Sequence, residues 1–503
     1  MPGKPPILVL ALALALGSAW GGETPPRPRR EISVEDVLRL ALERNLRLAA
    51  EKLNPERADQ TVVEEQAVFD PTAYGDLRAS GLKQQRKEQG DLTWQRKASA
   101  TAGVVKLFEL GTTLDAHVGG SRDNNNLPNA LVNPAHDETA GVSLKQPLLR
   151  GFGVRVNTAR IAASRNERRI ALAQLHVAAL QTVGDAKLAF WELVFARRDR
   201  EIVGRALERA DKLLEIVRVR VQAADLGWDD PGLGQATANV AVRHEQVVSA
   251  DDRIRRVEDF LKVITELAAE PSGWNLELVP TTEPQAGAPE VDVERAVETA
   301  LAQRPDYKAA QVAIDTRDIA LDVARNGLLP KLDLEASLGY MGLGSSWSRA
   351  SESFDNFNHY QWTAGIVLEY PLGNRAARAR YQRATLDRQQ AAIQLRALER
   401  QIQLEVRNAA RTVATSAERL RAAEASVKAE ETRVRAEELL FREGGREEGR
   451  RRNAQDVVFA QDALADAERR RLRALIDLNA ALVELERVKG TLLDSSHVLF
   501  VGE

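Results

Sequence analysis

Residues Val293–Tyr340 read VERAVETALAQRPDYKAAQVAIDTRDIALDVARNGLLPKLDLEASLGY, and they align without gaps on Val34–Gly81. Ala300-Leu301 falls on Ala41-Leu42, and Pro330, which opens a strand-like run, falls on Pro71. A second pair follows: Thr139-Ala140-Gly141, ending at Gln146-Pro147-Leu148, matches Thr363-Ala364-Gly365, ending at Tyr370-Pro371-Leu372. Internal repetition sets architecture before any single motif does. Each unit reads helix, strand, long loop, strand, very long helix.

The strands are two-faced. Leu332, Leu334, Ala336 and Leu338 alternate with Asp333, Glu335, Ser337 and Gly339 and end in Tyr340. Trp362, Ala364, Ile366, Leu368 and Tyr370 alternate with Thr363, Gly365, Val367 and Glu369. About nine residues, apolar on one face and polar on the other with aromatics at the ends, is the pattern of a transmembrane barrel strand. Ala73–Ser80 and Ala140–Lys145 repeat it more weakly. A half-buried antiparallel sheet in a soluble domain fits any one of these strands. The repeat and the leader described next favour the barrel, with Tyr340, Trp362 and Tyr370 as its aromatic girdle.

Lys4, the apolar run Ile7–Leu16 and Gly17-Ser18-Ala19 form a signal-peptide pattern over residues 1–22, too short to span a bilayer. Nowhere later do 18 consecutive apolar residues occur, so entry into a membrane would require a barrel. The chain has no cysteine and a net charge of −3. That excludes disulfides and thiolate metal sites and gives no electrostatic case for nucleic acid. Two strands per repeat make about four per chain, fewer than the eight of the smallest outer-membrane barrels. Open edges are not tolerated in lipid, so several copies must share one barrel. Ser99–Gly120 reads as an additional hairpin that either brings the count to six or extends beyond the membrane. The corresponding stretch of the second repeat, 342–358, reads as a loop.

Val156–Ala223 and Arg375–Glu443 lack proline and almost lack glycine. Each would make roughly 100 Å of helix. Breaks at Asp225–Gly232 and Gly444–Gly449 precede return helices from Leu233 to about Leu267 and from Asn453 to about Leu492. Asn453 with Asp456 is a helix-start signal. The expected organisation is therefore a first repeat over 31–270, a Pro-rich linker over 271–292, a second repeat over 293–492 and a tail over 493–503. The fold class is an α+β membrane protein.

Several segments in order then resemble the TolC-type outer membrane efflux protein family: Val37–Asn45 (VLRLALERN), Ser143–Gly153 (SLKQPLLRGFG), Leu368–Arg380 (LEYPLGNRAARAR) and Gly449–Gln461 (GRRRNAQDVVFAQ). The last is close to the family's G-x3-S/T-x2-D-V-L-x-A-Q tip. The resemblance implies a homotrimer forming one outer-membrane barrel and a periplasmic helical tunnel. It implies a periplasmic adaptor (membrane fusion) protein and an inner-membrane transporter as partners, with outer-membrane lipid around the barrel and cargo passing outward. Asp456 stands where the family places an acidic constriction residue, with Asp230 its candidate in the first repeat. Asp225, Gly227, Trp228, Gly449, Arg450 and Asn453 stand at the adaptor-contact tips.

The chain departs from the family where Ala224 replaces a tip glycine and Pro231-Gly232 stands at the expected helix start. It also departs where Phe441–Glu448 adds residues and Phe459 fills a second acidic position. Asp456 either lines a cation-attracting constriction or caps its helix through the dipole, and the two roles are compatible. Arg446, Arg450, Arg451 and Arg452 either grip an acidic adaptor or form a solvated turn.

No catalytic, cofactor-binding or metal-ligating residue is nominated. Histidines 117, 136, 176, 244, 359 and 497 form no ligand-spaced cluster. Gly151-Phe152-Gly153 lacks the third glycine of a dinucleotide loop. The expected function is a passive exit duct for efflux or type I secretion, against the alternative of a non-conducting envelope scaffold.

Overall fold

A computed structural model describes residues 27–223, 231–355, 358–442, 446–447, 450–451 and 454–496. In chain order its elements begin β1 (Arg29–Ile32), α1 (Val34–Arg44), α2 (Leu46–Gln66), β2 (Thr72–Lys83), β3 (Trp94–Leu107), β4 (Thr113–Asn125) and β5 (Ala135–Pro147). Next are α3 (Val154–Asn157), α4 (Ala159–Ala223), α5 (Pro231–Ile264), β6 (Glu277–Pro280), α6 (Val293–Gln303) and α7 (Pro305–Asn326). The chain continues with β7 (Lys331–Gly344), α8 (Trp347–Asp355), β8 (Tyr360–Glu369), α9 (Arg375–Arg442), β9 (Arg446–Glu447), β10 (Arg450–Arg451) and α10 (Ala454–Lys489). The stretch expected as a signal peptide, residues 1–22, lies outside the described residues. No helix among those described is long and apolar enough to cross a membrane.

The chain divides into two compact units. The first comprises Met1–Asn45, Asp185–Ala288 and Thr415–Ala480. Its helices carry apolar residues at seven-residue spacing: Ala189, Ala196, Val203, Ala210 and Val217 on α4, and Leu420, Val427, Val434 and Phe441 on α9, all buried. That spacing keeps one stripe of a long helix facing one partner. On α10, Ala460 and Ala467 pack with Val427 and Val434, and their small side chains let the helices approach closely. Where the helices end, Leu213, Leu214, Val217 and Val221 of α4 meet Leu233 and Ala236 of α5, Phe441 of α9, and Ala454 and Val457 of α10. Pro231, expected to interrupt a helix, instead opens α5. The first helical position needs no amide hydrogen, and proline's fixed φ suits it.

Within this unit the stretch expected as a linker contains a strand. β6 pairs in parallel with β1, Ile32 opposite Pro280 and Leu278 opposite Arg30. Ile32 and Leu278 are both fully buried. Ser33 then starts α1 with a capping box: its hydroxyl accepts from the Asp36 amide at 3.1 Å while the Asp36 carboxylate accepts from the Ser33 amide at 3.3 Å. The Ser33 hydroxyl also donates to this carboxylate at 2.8 Å, and together with the Ser33 amide it holds the Asp36 carboxyl below its ordinary value.

The second unit comprises Leu46–Gly184, Pro289–Ala414 and Ala481–Glu503. Its centre is one six-stranded antiparallel sheet in the order β2-β3-β4-β5-β7-β8. The hairpin expected at 99–120 is β3–β4, longer than expected, and it lies inside this sheet between β2 and β5. The 342–358 stretch, expected as a loop, contains α8, which packs on β7 and β5.

Helices flank the sheet in sequence and have their own core, where Ala296, Val297 and Ala300 of α6 pack on Ile402 and Val406 of α9 and Val488 of α10. α10 ends in a paired turn, with the Thr491 amide donating to Glu486 and the Gly490 amide to Arg487. Gly490 sits there at φ 76°, and a Cβ on it would lie 3.2 Å from the Arg304 backbone, so a side chain would be both strained and crowded.

At the same corner Arg304 holds Asp306 at 2.7 Å, Glu405 at 2.5 Å and the Val488 carbonyl at 3.4 Å. Burial pushes the Asp306 carboxyl up, but the Arg304 hydrogen bonds and charge outweigh it, and the group lies below its ordinary value of 3.8. The pair's contribution to stability is therefore complete above pH 3.8 and is lost as pH falls through the lowered folded value. Arg304→Met should cost about 1.5–3 kcal/mol near neutral pH. It should also flatten the acid limb of stability against pH, measured by thermal unfolding.

Candidate functional site

The register of the sheet sorts its side chains. Residues paired across neighbouring strands share a face. On one face lies the row Ala73, Val104, Ala116, Val142, Leu338 and Trp362, and beside it Gly75, Ala102, Val118, Ala140, Tyr340 and Tyr360. On the other lies Thr72, Val105, Asp115, Ser143, Ser337 and Thr363. Six strands thus build one apolar surface and one polar surface.

Outside the seat of α8 the apolar surface is open: Leu77 is 86% exposed, Val118 60%, and Trp362, Ile366 and Leu368 each 67%. An apolar surface of this extent, left uncovered beyond that seat, needs a non-aqueous neighbour. Tyr360 and Trp362 stand near the hairpin end of β8 and Tyr370 just past its other end, so aromatics mark both limits of the band. Tyr360, opposite Tyr340, adds a further aromatic at this end of the apolar face, and its place two residues before Trp362 on the alternating pattern is the sequence signal for it.

The polar surface is crowded and charge-paired. Lys145 reaches Glu335 at 2.8 Å and Asp333 at 3.1 Å, and Lys331 reaches Glu369 at 3.4 Å. The Tyr74 hydroxyl donates to Asp115 at 2.9 Å, and His117 Nδ1 lies 2.8 Å from the same carboxylate. Ser121 donates to Asp137 at 2.9 Å. Gly103 and Gly141 make room here: a Cβ at Gly103 would lie 2.7 Å from the Tyr74 ring, and one at Gly141 3.0 Å from the His117 ring. Such a face is built for water.

β2 and β8 are the sheet's edges, each with one neighbour among the described residues. The connections to α2, α3, α7 and α9 leave from one end of the sheet, together with the short β3–β4 turn. The β2–β3, β4–β5 and β7–β8 connections lie at the other.

In the first unit, Arg220 closes the end of α9, donating to the Phe441 carbonyl at 2.5 Å and the Arg442 carbonyl at 3.3 Å with its guanidinium 4.1 Å over the Phe441 ring. A cation on the last carbonyls complements the helix dipole. Asp456 sits in the first turn of α10, half-buried between buried Ala454 and Val457. The N-terminal dipole favours its charge there. Phe459, one turn on, is 55% exposed. Of the other tip residues, Arg450 falls on β10, whose two residues pair with β9. Asp225, Gly227, Trp228, Asp230, Gly449 and Asn453 lie outside the described residues.

Residues 296–483 match the family model of the outer membrane efflux protein. This stretch is an outer membrane efflux protein domain. The fold carries the likeness further along the chain. The outer-membrane channel OprN is similar at a TM-score of 0.67 and 17% identity, over 91% of this chain and 90% of that one. The outer membrane protein VceC of Vibrio cholerae gives 0.65 and 16%, over 91% and 96%. The open state of the MtrE outer membrane channel of Neisseria gonorrhoeae gives 0.63 and 18%, over 91% and 89%. No curated protein matches the sequence. At these identities the structural likeness shows the fold, and the efflux-protein domain shows the family of that stretch.

Proposed function

We propose that the chain is the outer-membrane exit duct of a tripartite efflux or type I secretion system, conducting cargo passively from a periplasmic adaptor and inner-membrane pump to the exterior. The observation that carries this is the sheet: apolar residues on one face, paired charges on the other, and two edges without a second neighbour. An edge in lipid must pair, so β2 of one copy takes up β8 of the next until the sheet closes. Three copies of a six-stranded sheet give an eighteen-stranded barrel, in the size range that encloses an aqueous channel. The polar face then lines the lumen and the apolar face meets lipid. The helices of the efflux-protein domain extend the duct on the periplasmic side. The chain itself supplies no chemistry, and the energy comes from its partners.

Single-channel recording in planar bilayers tests this. The assembled protein should conduct, and Asp456→Asn should shift the reversal potential toward lower cation preference, since a ring of carboxylates attracts cations. An assembled oligomer without conductance would favour the envelope scaffold. An unchanged reversal potential would remove Asp456 from the constriction.

A further inference from the structure

The two faces of the sheet differ in a second respect, at the end of the β2–β3, β4–β5 and β7–β8 connections. The β2–β3 pairing sets Lys83 opposite Trp94 and Gly81 opposite Arg96. The β3–β4 and β4–β5 pairings set Arg122 between Ala98 and His136. By alternation Lys83, Arg96 and Arg122 all belong to the apolar face. They stand just beyond the band of Leu77, Val118 and Tyr360. All three are exposed. Among the described residues no carboxylate lies within ion-pairing distance of any of them, whereas Arg78 on the polar face of β2 pairs with Asp76 at 2.8 Å.

The rest of this rim is supplied by α8. It lies on the apolar face, because three glycines of that face make the seat for it. A Cβ on Gly120 would fall 2.9 Å from the Trp347 ring, and one on Gly342 or Gly344 would fall 2.3 Å from the Ala350 backbone. Ala350 is fully buried in that seat, and Trp347 meets the His136 ring edge-on at 5.0 Å. α8 keeps Arg349 exposed, its guanidinium held by the Ser345 hydroxyl at 3.0 Å. The carboxylates of this face near the rim are Glu138 of β5, in the row of Leu77 and half-buried, and Glu352 and Asp355 of α8.

We infer that Lys83, Arg96, Arg122 and Arg349, with Trp94 and Trp347, form a collar that binds the phosphate groups of anionic lipids in the outer leaflet. The inference rests on the barrel reading above. An apolar face continuous with lipid, followed by exposed cations and indoles, fits a phosphate-bearing headgroup. The long side chains lie along the apolar surface and extend their charge to the interface. A protein partner would not need the cations to border an acyl-facing band. A free anion would not need the band.

The test uses the full chain in neutral detergent, with a synthetic phosphorylated lipid and an uncharged lipid of the same acyl chains, read by native mass spectrometry. The wild type should retain the phosphorylated lipid and not the neutral one, and inorganic phosphate at millimolar concentration should not compete. Lys83→Gln/Arg96→Gln/Arg122→Gln should weaken retention by about fivefold per charge removed. Arg78→Gln/Lys97→Gln, which removes cations from the polar face, should leave it unchanged. Equal retention of both lipids, or competition by inorganic phosphate, would overturn the collar. Loss of retention only in the polar-face variant would instead overturn the assignment of faces, and with it the barrel. Bilayer insertion measured on both variants separates these failures from misfolding: each variant should still insert and conduct.

Discussion

Val142→Arg should drive most of the protein out of the membrane fraction, while Ser143→Arg, one residue along, should leave insertion intact. Val142 lies in the apolar row with Val104, Leu338 and Trp362, and Ser143 in the polar row with Asp115, Ser337 and Thr363. An arginine on the lipid face near the bilayer midplane costs about 2–4 kcal/mol per chain. Several copies sharing one barrel multiply that penalty. An arginine at Ser143 faces water and adds a positive charge near Asp115, so it should lower cation preference in bilayer recordings. Equal partition of the two variants between membrane and soluble fractions would contradict the division of the sheet into lipid and water faces.

Glu258→Leu should cause the largest loss of stability in the first unit. The Glu258 side chain is fully buried and accepts from Arg197 at 2.7 Å, from Arg27 at 3.1 Å and from the Leu278 amide at 3.3 Å. Arg197 also holds Glu277 at 2.8 Å, and Lys262, itself fully buried, lies 3.9 Å from Glu258 and donates to the Trp274 carbonyl at 2.9 Å. The network ties β1, β6, α4 and α5 together. Removing one partner of a buried ion network leaves the others unpaired and costs about 3–5 kcal/mol. Replacing Arg197 and Glu258 together by Met and Leu should recover much of that, because uncompensated charge dominates the single-variant cost. Thermal unfolding followed by helical circular dichroism reads both. A Glu258→Leu protein that melts with the wild type would show that the network contributes nothing.

The elements with strong periodicity were legible in the sequence. Alternation of Leu332 to Tyr340 and of Trp362 to Tyr370 placed β7 and β8, and the absence of proline placed α4 and α9 nearly to the residue. The β3–β4 hairpin was visible through Ala102–Phe108 and Leu114–Val118, but its place between β2 and β5 depends on pairing across the chain, which local pattern does not encode. β1 and β6 were missed because RREI and ELVP are four residues each, too short to show an alternation, and only their partnership buries Ile32 and Leu278. α8 was read as a loop since Ser348, Ser351 and Ser353 resemble one, and its support comes from glycines on β4 and β7 rather than from its own residues. The same holds for the charges. Glu258 and Lys262 look like solvated helix residues until the segment after α5 folds over them.

Of the candidate site, the polar and apolar residues of β7 and β8 were assigned to opposite faces from alternation alone, and the register extends that division across all six strands. The basic collar escaped because Lys83, Arg96 and Arg122 come from three strands and share a face only through the register.

The native mass of the detergent-extracted mature protein tests the central claim most directly, that the edges of the six-stranded sheet close on other copies. A mass of three chains, obtained only with detergent, is expected. A monomer that remains soluble without detergent would contradict it, because β2 and β8 would then have no partner strand and the apolar face no lipid.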